Sequence, residues 1–129
     1  MFCRRLRYTV LVLVLVCAAA CSPAAGGGGR GPAYSPELLE MVKEQPDLSE
    51  AARVLEAGTC REAIPLLSYY FSRNEEPGPT NYLLGRAHLC LGDFPKGAQH
   101  LLAAAKASPS LNADVSAVAA FYGRQLVEL

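Results

Sequence analysis

The sequence predicts an all-α fold from Ser35 to Leu129. Apolar residues recur there every three or four positions, which is the spacing of one helix face. Helix-start signals precede most of these segments, and no segment shows convincing strand alternation. Glycine, proline and asparagine breaks divide the region into six predicted helices, at residues 36–44, 48–57, 60–72, 80–91, 94–107 and 113–127.

Side chains that can cap a helix N-terminus stand before five of these helices: Ser35, Asp47, Thr59, Asp93 and Asn112. The first is followed by proline and glutamate, which suit a first helical turn. The second and third are each followed after three residues by glutamate, the spacing of a capping box. The fourth helix is bounded by the Asn74–Pro79 break before it and by Gly92 after it.

The helices also repeat along the chain. Gly58 and Gly92 each end one helix and begin the next, at the same place in two successive units. The same offset relates three further pairs of apolar or small residues: Ala51 and Gly85, Leu55 and Leu89, and Leu67 and Leu101. This offset matches the period of about 34 residues that is typical of one class of helix-pair repeats.

Residues 78–111 resemble a tetratricopeptide (TPR) repeat through Leu84-Gly85, Gly92-Asp93-Phe94, Leu101, Ala104 and Pro109. This resemblance implies an antiparallel helix-pair solenoid of about two repeats, flanked by a helix at each end. The last helix would then be a solvating cap. A generic antiparallel helical bundle, in which the repeat spacing is coincidental, stays open as the alternative.

The N-terminus resembles a bacterial lipoprotein leader. Arginines at positions 4, 5 and 7, an apolar run at 8–16 and Ala18-Ala19-Ala20 lead into Cys21, although Ala18 stands where leucine is commonest. The resemblance implies a signal peptide at 1–20, a lipidated Cys21 followed by a glycine-rich tether to residue 34, and a helical domain at 35–129. Ordinary signal peptidase could also cleave after Ala20 and release a soluble periplasmic protein.

Composition argues against several classes of function. Loss of the three leader arginines leaves 9 basic against 12 acidic residues, so no basic surface for nucleic acid is expected. His88 and His100 lie in predicted helices without cysteine or carboxylate partners at ligand spacing. We therefore expect that the protein is not an enzyme and binds no metal or cofactor. His88 is expected to pack as a structural residue, and His100 is expected to lie at the surface.

The TPR resemblance also places the remaining cysteines. Cys60 would open the second helix of one pair and Cys90 would close the first helix of the next, at the same end of packed neighbours. A disulfide and two separate buried thiols are both compatible with that placement, because only Cα atoms within about 7 Å can be bridged.

TPR modules hold peptides or proteins on a concave face, and alignment carries that face onto this chain. The expected partner-binding residues are Leu48, Leu55, Tyr82, Arg86, Leu89 and Arg124. Tyr82, Arg86 and Arg124 are the most specific of these, since tyrosine and arginine commonly anchor interfaces. In the alternative interpretation, Tyr82 packs in the core and the two arginines are solvated.

Together these resemblances imply a lipid-anchored scaffold for an envelope protein or peptide. Ser22 after Cys21 favours the outer membrane, facing the periplasm. Self-association that extends the groove is compatible with so small a stack. An accessory subunit of a periplasmic solute-uptake system and a soluble secreted protein are the alternatives.

Overall fold

A computed structural model describes residues 31–128, and this part of the chain is all-α, as predicted. The elements are α1 (Pro36–Val42), α2 (Pro46–Glu56), α3 (Cys60–Ser72), α4 (Pro77–Cys90), α5 (Phe94–Ala107), a 3₁₀ turn (Pro109–Leu111) and α6 (Asn112–Glu128). Residues 31–128 contain no strand. The predicted signal peptide and Cys21 lie outside the described residues.

Two of the predicted N-caps form as expected. Ser35 Oγ accepts a hydrogen bond from the Leu38 amide at 3.2 Å, and Asp93 Oδ1 accepts one from the Lys96 amide at 3.3 Å. The prediction for Asp47 is wrong, because α2 begins at Pro46 and Gln45 is its N-cap. Proline has no amide hydrogen to satisfy, so it suits the first position of a helix.

The six helices pack in sequential order, joined by short turns. α3 packs against both α2 and α4, and the contact between α4 and α5 is the most extensive in the described chain. Gly85 and Gly97 lie at that contact, where a Cβ on Gly85 would stand 3.0 Å from the Gly97 carbonyl oxygen. Side chains at these two positions would therefore hold the helices apart.

The turns that join the two helices of each predicted repeat unit have the same backbone conformation. Gly58 has a φ of 87° and Gly92 a φ of 86°, a region that favours glycine because it has no Cβ. The repeat seen in the sequence is thus matched by equivalent turns after α2 and α4.

A disulfide joins Cys60, the first residue of α3, to Cys90, the last residue of α4. Their Cα atoms are 6.3 Å apart, within the usual range for a bridge. The structure thus contains a disulfide rather than two separate thiols, and it links the two helix pairs at one end.

An N-terminal arm, defined as residues 31–42, packs across the helices. α1 contacts α2, α4 and the 3₁₀ turn, and it buries Leu38 and Val42. Ser35 bonds to Asp114 of α6 through its hydroxyl at 2.8 Å and its amide at 3.3 Å. Residues 31–34, which the sequence assigns to the tether, belong to this packed arm, with Gly31 close to the Arg86 side chain and Tyr34 bonded to Ala52.

Candidate functional site

The face expected to bind a partner is closed by the chain itself. Leu48, Leu55, Tyr82 and Arg86 are buried, with Arg86 only 2% exposed. The expectation that these four side chains line an open groove is corrected by the structure. Tyr82 and Arg86 are covered by the N-terminal arm, whose Tyr34 ring stands 4.4 Å from the Arg86 guanidinium and meets the Tyr82 ring edge-on at 6.5 Å.

The contacts beneath the arm are polar as well as aromatic. Arg86 Nη1 donates to the Tyr82 hydroxyl at 3.2 Å, and the Tyr34 hydroxyl donates to the Ala52 carbonyl at 2.7 Å. Burial raises the pKa of Tyr34, Tyr82 and Tyr122, while the nearby Arg86 charge opposes the rise. These phenols therefore stay protonated, and the contacts of Tyr34 with Ala52, Arg86 and Tyr82 hold the arm in place.

The two remaining residues predicted to bind a partner lie elsewhere. Arg124 is exposed on α6, and Leu89, at the end of α4, is buried but lines a separate apolar opening. We call this opening the α5–α6 cleft. It has a volume of about 360 Å³ and is lined by Leu89, Phe94, Ala98, Leu101, Leu102, Val115, Ala119, Tyr122 and Gly123.

The helices that border the cleft expose apolar surface. Leu102 is 67% exposed, the largest value among the big apolar side chains of the described chain. No charged residue occurs from Val115 to Gly123 on α6, and Ala117, Ala119 and Ala120 are exposed there. The described outer face of α6 thus presents mainly small apolar residues, with Asn112, Ser116 and Arg124 as its exposed polar ones, whereas a solvating cap usually has a polar outer face.

Positive charge dominates beside the cleft, although Lys96 is paired with Asp93, the N-cap of α5, at 3.9 Å. α5 contains Lys96 and Lys106 and no acidic residue, and Arg124 is exposed on α6. The single acidic residue between positions 94 and 124 is Asp114, which is buried and bonded to Ser35. The exposed charges on this stretch are therefore positive.

A histidine pair occupies another part of α4 and α5. The rings of His88 and His100 are stacked, with centroids 5.4 Å apart and planes 6° apart. His100 Nδ1 lies 2.9 Å from Asn81 Oδ1, and Phe71 meets the His100 ring edge-on. Burial, with help from His88 and Lys96, lowers the pKa of His100. Both histidines are half-buried, so His100 is not the simple surface residue expected.

A second opening lies between the arm and α2. It is lined by Tyr34, Leu39, Lys43, Arg53 and Glu56, among others, and has a volume of about 510 Å³. Its charged groups are of both signs, and Arg53 is paired with Glu50. Within residues 31–128, no three side chains of metal-binding type cluster together. No helix in that part of the chain is long and apolar enough to cross a bilayer.

No protein family, curated protein or solved structure matches this chain. The α5–α6 cleft is therefore assigned from its own geometry. Sequence reasoning missed most of its lining, notably Phe94, Leu102, Ala119 and Gly123. The uncharged run from 115 to 123 is the sequence signal that could have indicated it.

Proposed function

We propose that this protein is a lipid-anchored interaction module of a bacterial envelope, which holds a protein partner in the α5–α6 cleft. The observation that carries the proposal is the uncharged outer face of α6 beside an open apolar cleft. Apolar surface of this kind, bordered by charged residues, is typical of protein interaction sites.

The anchor is Cys21, on the strength of the leader sequence that precedes it. A lipoprotein cysteine carries a diacylglyceryl group and usually an N-acyl chain, and two or more chains give stable membrane attachment. Ser22 favours the outer membrane, with the helical domain in the periplasm. The TPR resemblance supports the same kind of role, since helix-pair repeats commonly bind other proteins.

The proposed partner contacts lie in the cleft and not on the concave face expected from the sequence. Tyr82, Arg86, Leu48 and Leu55 hold the arm and the core, whereas Leu89 and Arg124 keep the partner role expected of them. An accessory role in solute uptake would use the same cleft, because an apolar opening of about 360 Å³ also fits a small apolar ligand.

The test is site-specific photocrosslinking in the native envelope. A photoreactive residue at Leu102 should capture a defined protein, and one at Leu39, which is also exposed but lies on α1, should not. Fatty-acid labelling should mark the wild type and fail in Cys21→Ala, which separates anchoring from binding. Equal capture from both positions, or none from Leu102, would contradict a protein-binding cleft.

A further inference from the structure

We infer that the cleft receives one amphipathic helix of a different protein, with acidic residues beside its apolar face, running antiparallel to α6. This inference rests on the proposed function and names the kind of partner that the same site takes. The bound helix would complete a third helix pair, in which α6 is the first member.

The repeat register places the helix. Ala119 lies one repeat period after Gly85, and Gly123 lies one repeat period after Leu89. On α4, Gly85 and Leu89 are packed against Gly97 and Leu101 of α5. On α6, Ala119 and Gly123 line the open cleft. A helix in the cleft would therefore pack against α6 in the same way as α5 packs against α4.

The repeat register also indicates the size of the partner side chains that fit at two places in the cleft. A Cβ on Gly123 would meet no atom within 4 Å, so the place that Leu89 fills in the preceding pair is empty here. A large apolar side chain of the partner fits at Gly123. A small residue is expected opposite Ala119, because the equivalent contact of Gly85 is with Gly97.

A second copy of this chain is a poor occupant. The large apolar side chains exposed on the described residues are Leu39, Tyr69, Phe71, Leu91 and Leu102. No two of them lie three or four positions apart on one helix, which is the spacing a helix needs to place two side chains in a groove. The outer face of α6 offers mainly alanines. We therefore assign the site to a helix from another protein.

Charge selects among such helices. Lys106 and Arg124 are exposed on the two helices that form the cleft walls, and Lys96 on α5 is paired with Asp93. Acidic residues beside the apolar face of the partner would complement them, and acidic partners would be preferred over basic ones. Binding should accordingly weaken as salt is raised.

The experiment uses the full chain and two designed helical peptides of equal length. Both carry leucines at helical spacing and one tryptophan for the place at Gly123; one has glutamates on its flanks and the other lysines. The chain contains no tryptophan, so a blue shift of tryptophan emission reports seating of the peptide. We expect the acidic peptide to bind at least about tenfold more tightly than the basic one.

Three variants locate the binding. Gly123→Leu fills the empty place from the protein side and should weaken the acidic peptide at least about tenfold. Ala117→Leu, on the same helix but outside the cleft lining, is the matched control and should leave affinity unchanged. Lys106→Glu with Arg124→Glu should remove or reverse the preference between the peptides. Unchanged melting temperatures would show that each variant is folded.

Equal binding of the two peptides, absence of binding, or full binding to Gly123→Leu would overturn the inference. These failures can be told apart from failure of the proposed function. If Leu102 crosslinks a protein in the envelope while the peptides fail, the cleft binds something other than an acidic helix. If the peptides bind as expected while Leu102 captures nothing, the assignment of a protein partner in the envelope is wrong.

Discussion

Helices α4 and α6 occupy equivalent places in the repeat that the sequence predicts, yet only α4 is covered on almost every side. In α4, the ten consecutive residues from Gly78 to Ala87 are all buried, among them Asn81 and Arg86. α6 buries residues such as Val118 and Tyr122 on one face and leaves alanines and the cleft on another. An uncharged helix face is thus core in one unit and available surface in the next.

The difference follows from what each helix has beside it. α4 is packed between α3 and α5, and the N-terminal arm contacts it as well. α6 packs against α4, α5 and the 3₁₀ turn and is bonded to the arm only through Ser35 and Asp114, and no later helix follows it among residues 31–128. The comparison teaches that the packing neighbours of an apolar helix face decide whether it is covered, and four predictions test it.

The largest effect is expected from the disulfide, which holds α4 and has no counterpart on α6. Replacing Cys60 and Cys90 by alanine should lower the free energy of unfolding by about 3–4 kcal/mol, because a loop of about 30 residues is then free to open in the unfolded chain. Urea denaturation measures the loss. Reduction of the wild type should reproduce it, and a loss below about 1 kcal/mol would show that packing alone holds α4.

The N-terminal arm should give the next largest effect. Tyr34→Ala removes the ring that covers Arg86 and should cost about 2–3 kcal/mol, whereas Tyr34→Phe, which loses one hydrogen bond to Ala52, should cost about 1 kcal/mol. Hydrogen exchange should rise more in α6 than in α4, because Ser35 of the arm is bonded to Asp114. An equal rise of hydrogen exchange in α4 and α6 would contradict the expectation that α6 depends more on the arm than α4 does.

Two glycine substitutions should have opposite signs. Gly85→Ala places a Cβ 2.8 Å from buried Leu101 and should destabilise the fold by about 1–3 kcal/mol. Gly123→Ala meets open space and should stabilise α6 by about 0.5–1 kcal/mol, because alanine is the better helix former. Thermal denaturation compares the pair. Destabilisation by both would mean that the cleft is closed in solution.

The smallest effect concerns pH. The pKa of His100 is lowered in the folded chain, so its contribution to stability is full above the ordinary pKa of about 6.5 and is lost as the pH falls towards the folded value. Unfolding free energies at pH 7.5 and pH 5 should differ less in His100→Gln than in the wild type. His100 lies on the face of α5 turned away from Ala98 and Leu102, so peptide binding in the cleft should change little. If the free energy of unfolding depends on pH equally in the wild type and in His100→Gln, His100 makes no pH-dependent contribution to stability.

The positions of the helices could be predicted closely because their signals are local. Ser35 and Asp93 cap helices as predicted, and helices 60–72 and 94–107 have the predicted bounds. The errors arise where two local signals compete: Pro46 and Pro77 lie at predicted breaks, and both instead begin a helix. Proline supports either outcome, since it ends one helix and suits the first turn of another.

The candidate site could be predicted only in part. The sequence indicates Leu89 and Arg124 as binding residues, but it places them on a concave face. Tyr34 closes that face in the structure. The contact between Tyr34 and Tyr82 joins residues far apart in the chain, and no pattern within either segment indicates it. A glycine-rich stretch directly before Tyr34 favours a tether, and the residues that fix Tyr34 belong to α2 and α4.

The sequence by itself determined the all-α class and predicts a helix-pair repeat and a lipidated Cys21, because periodicity, capping and short motifs depend on residues near each other in the chain. Tertiary structure alone decided which apolar faces are covered. It buried Arg86 beneath the arm and left the cleft beside Gly123 open, because burial depends on which distant segments meet, and each apolar helix face is compatible with either outcome until its neighbours are placed.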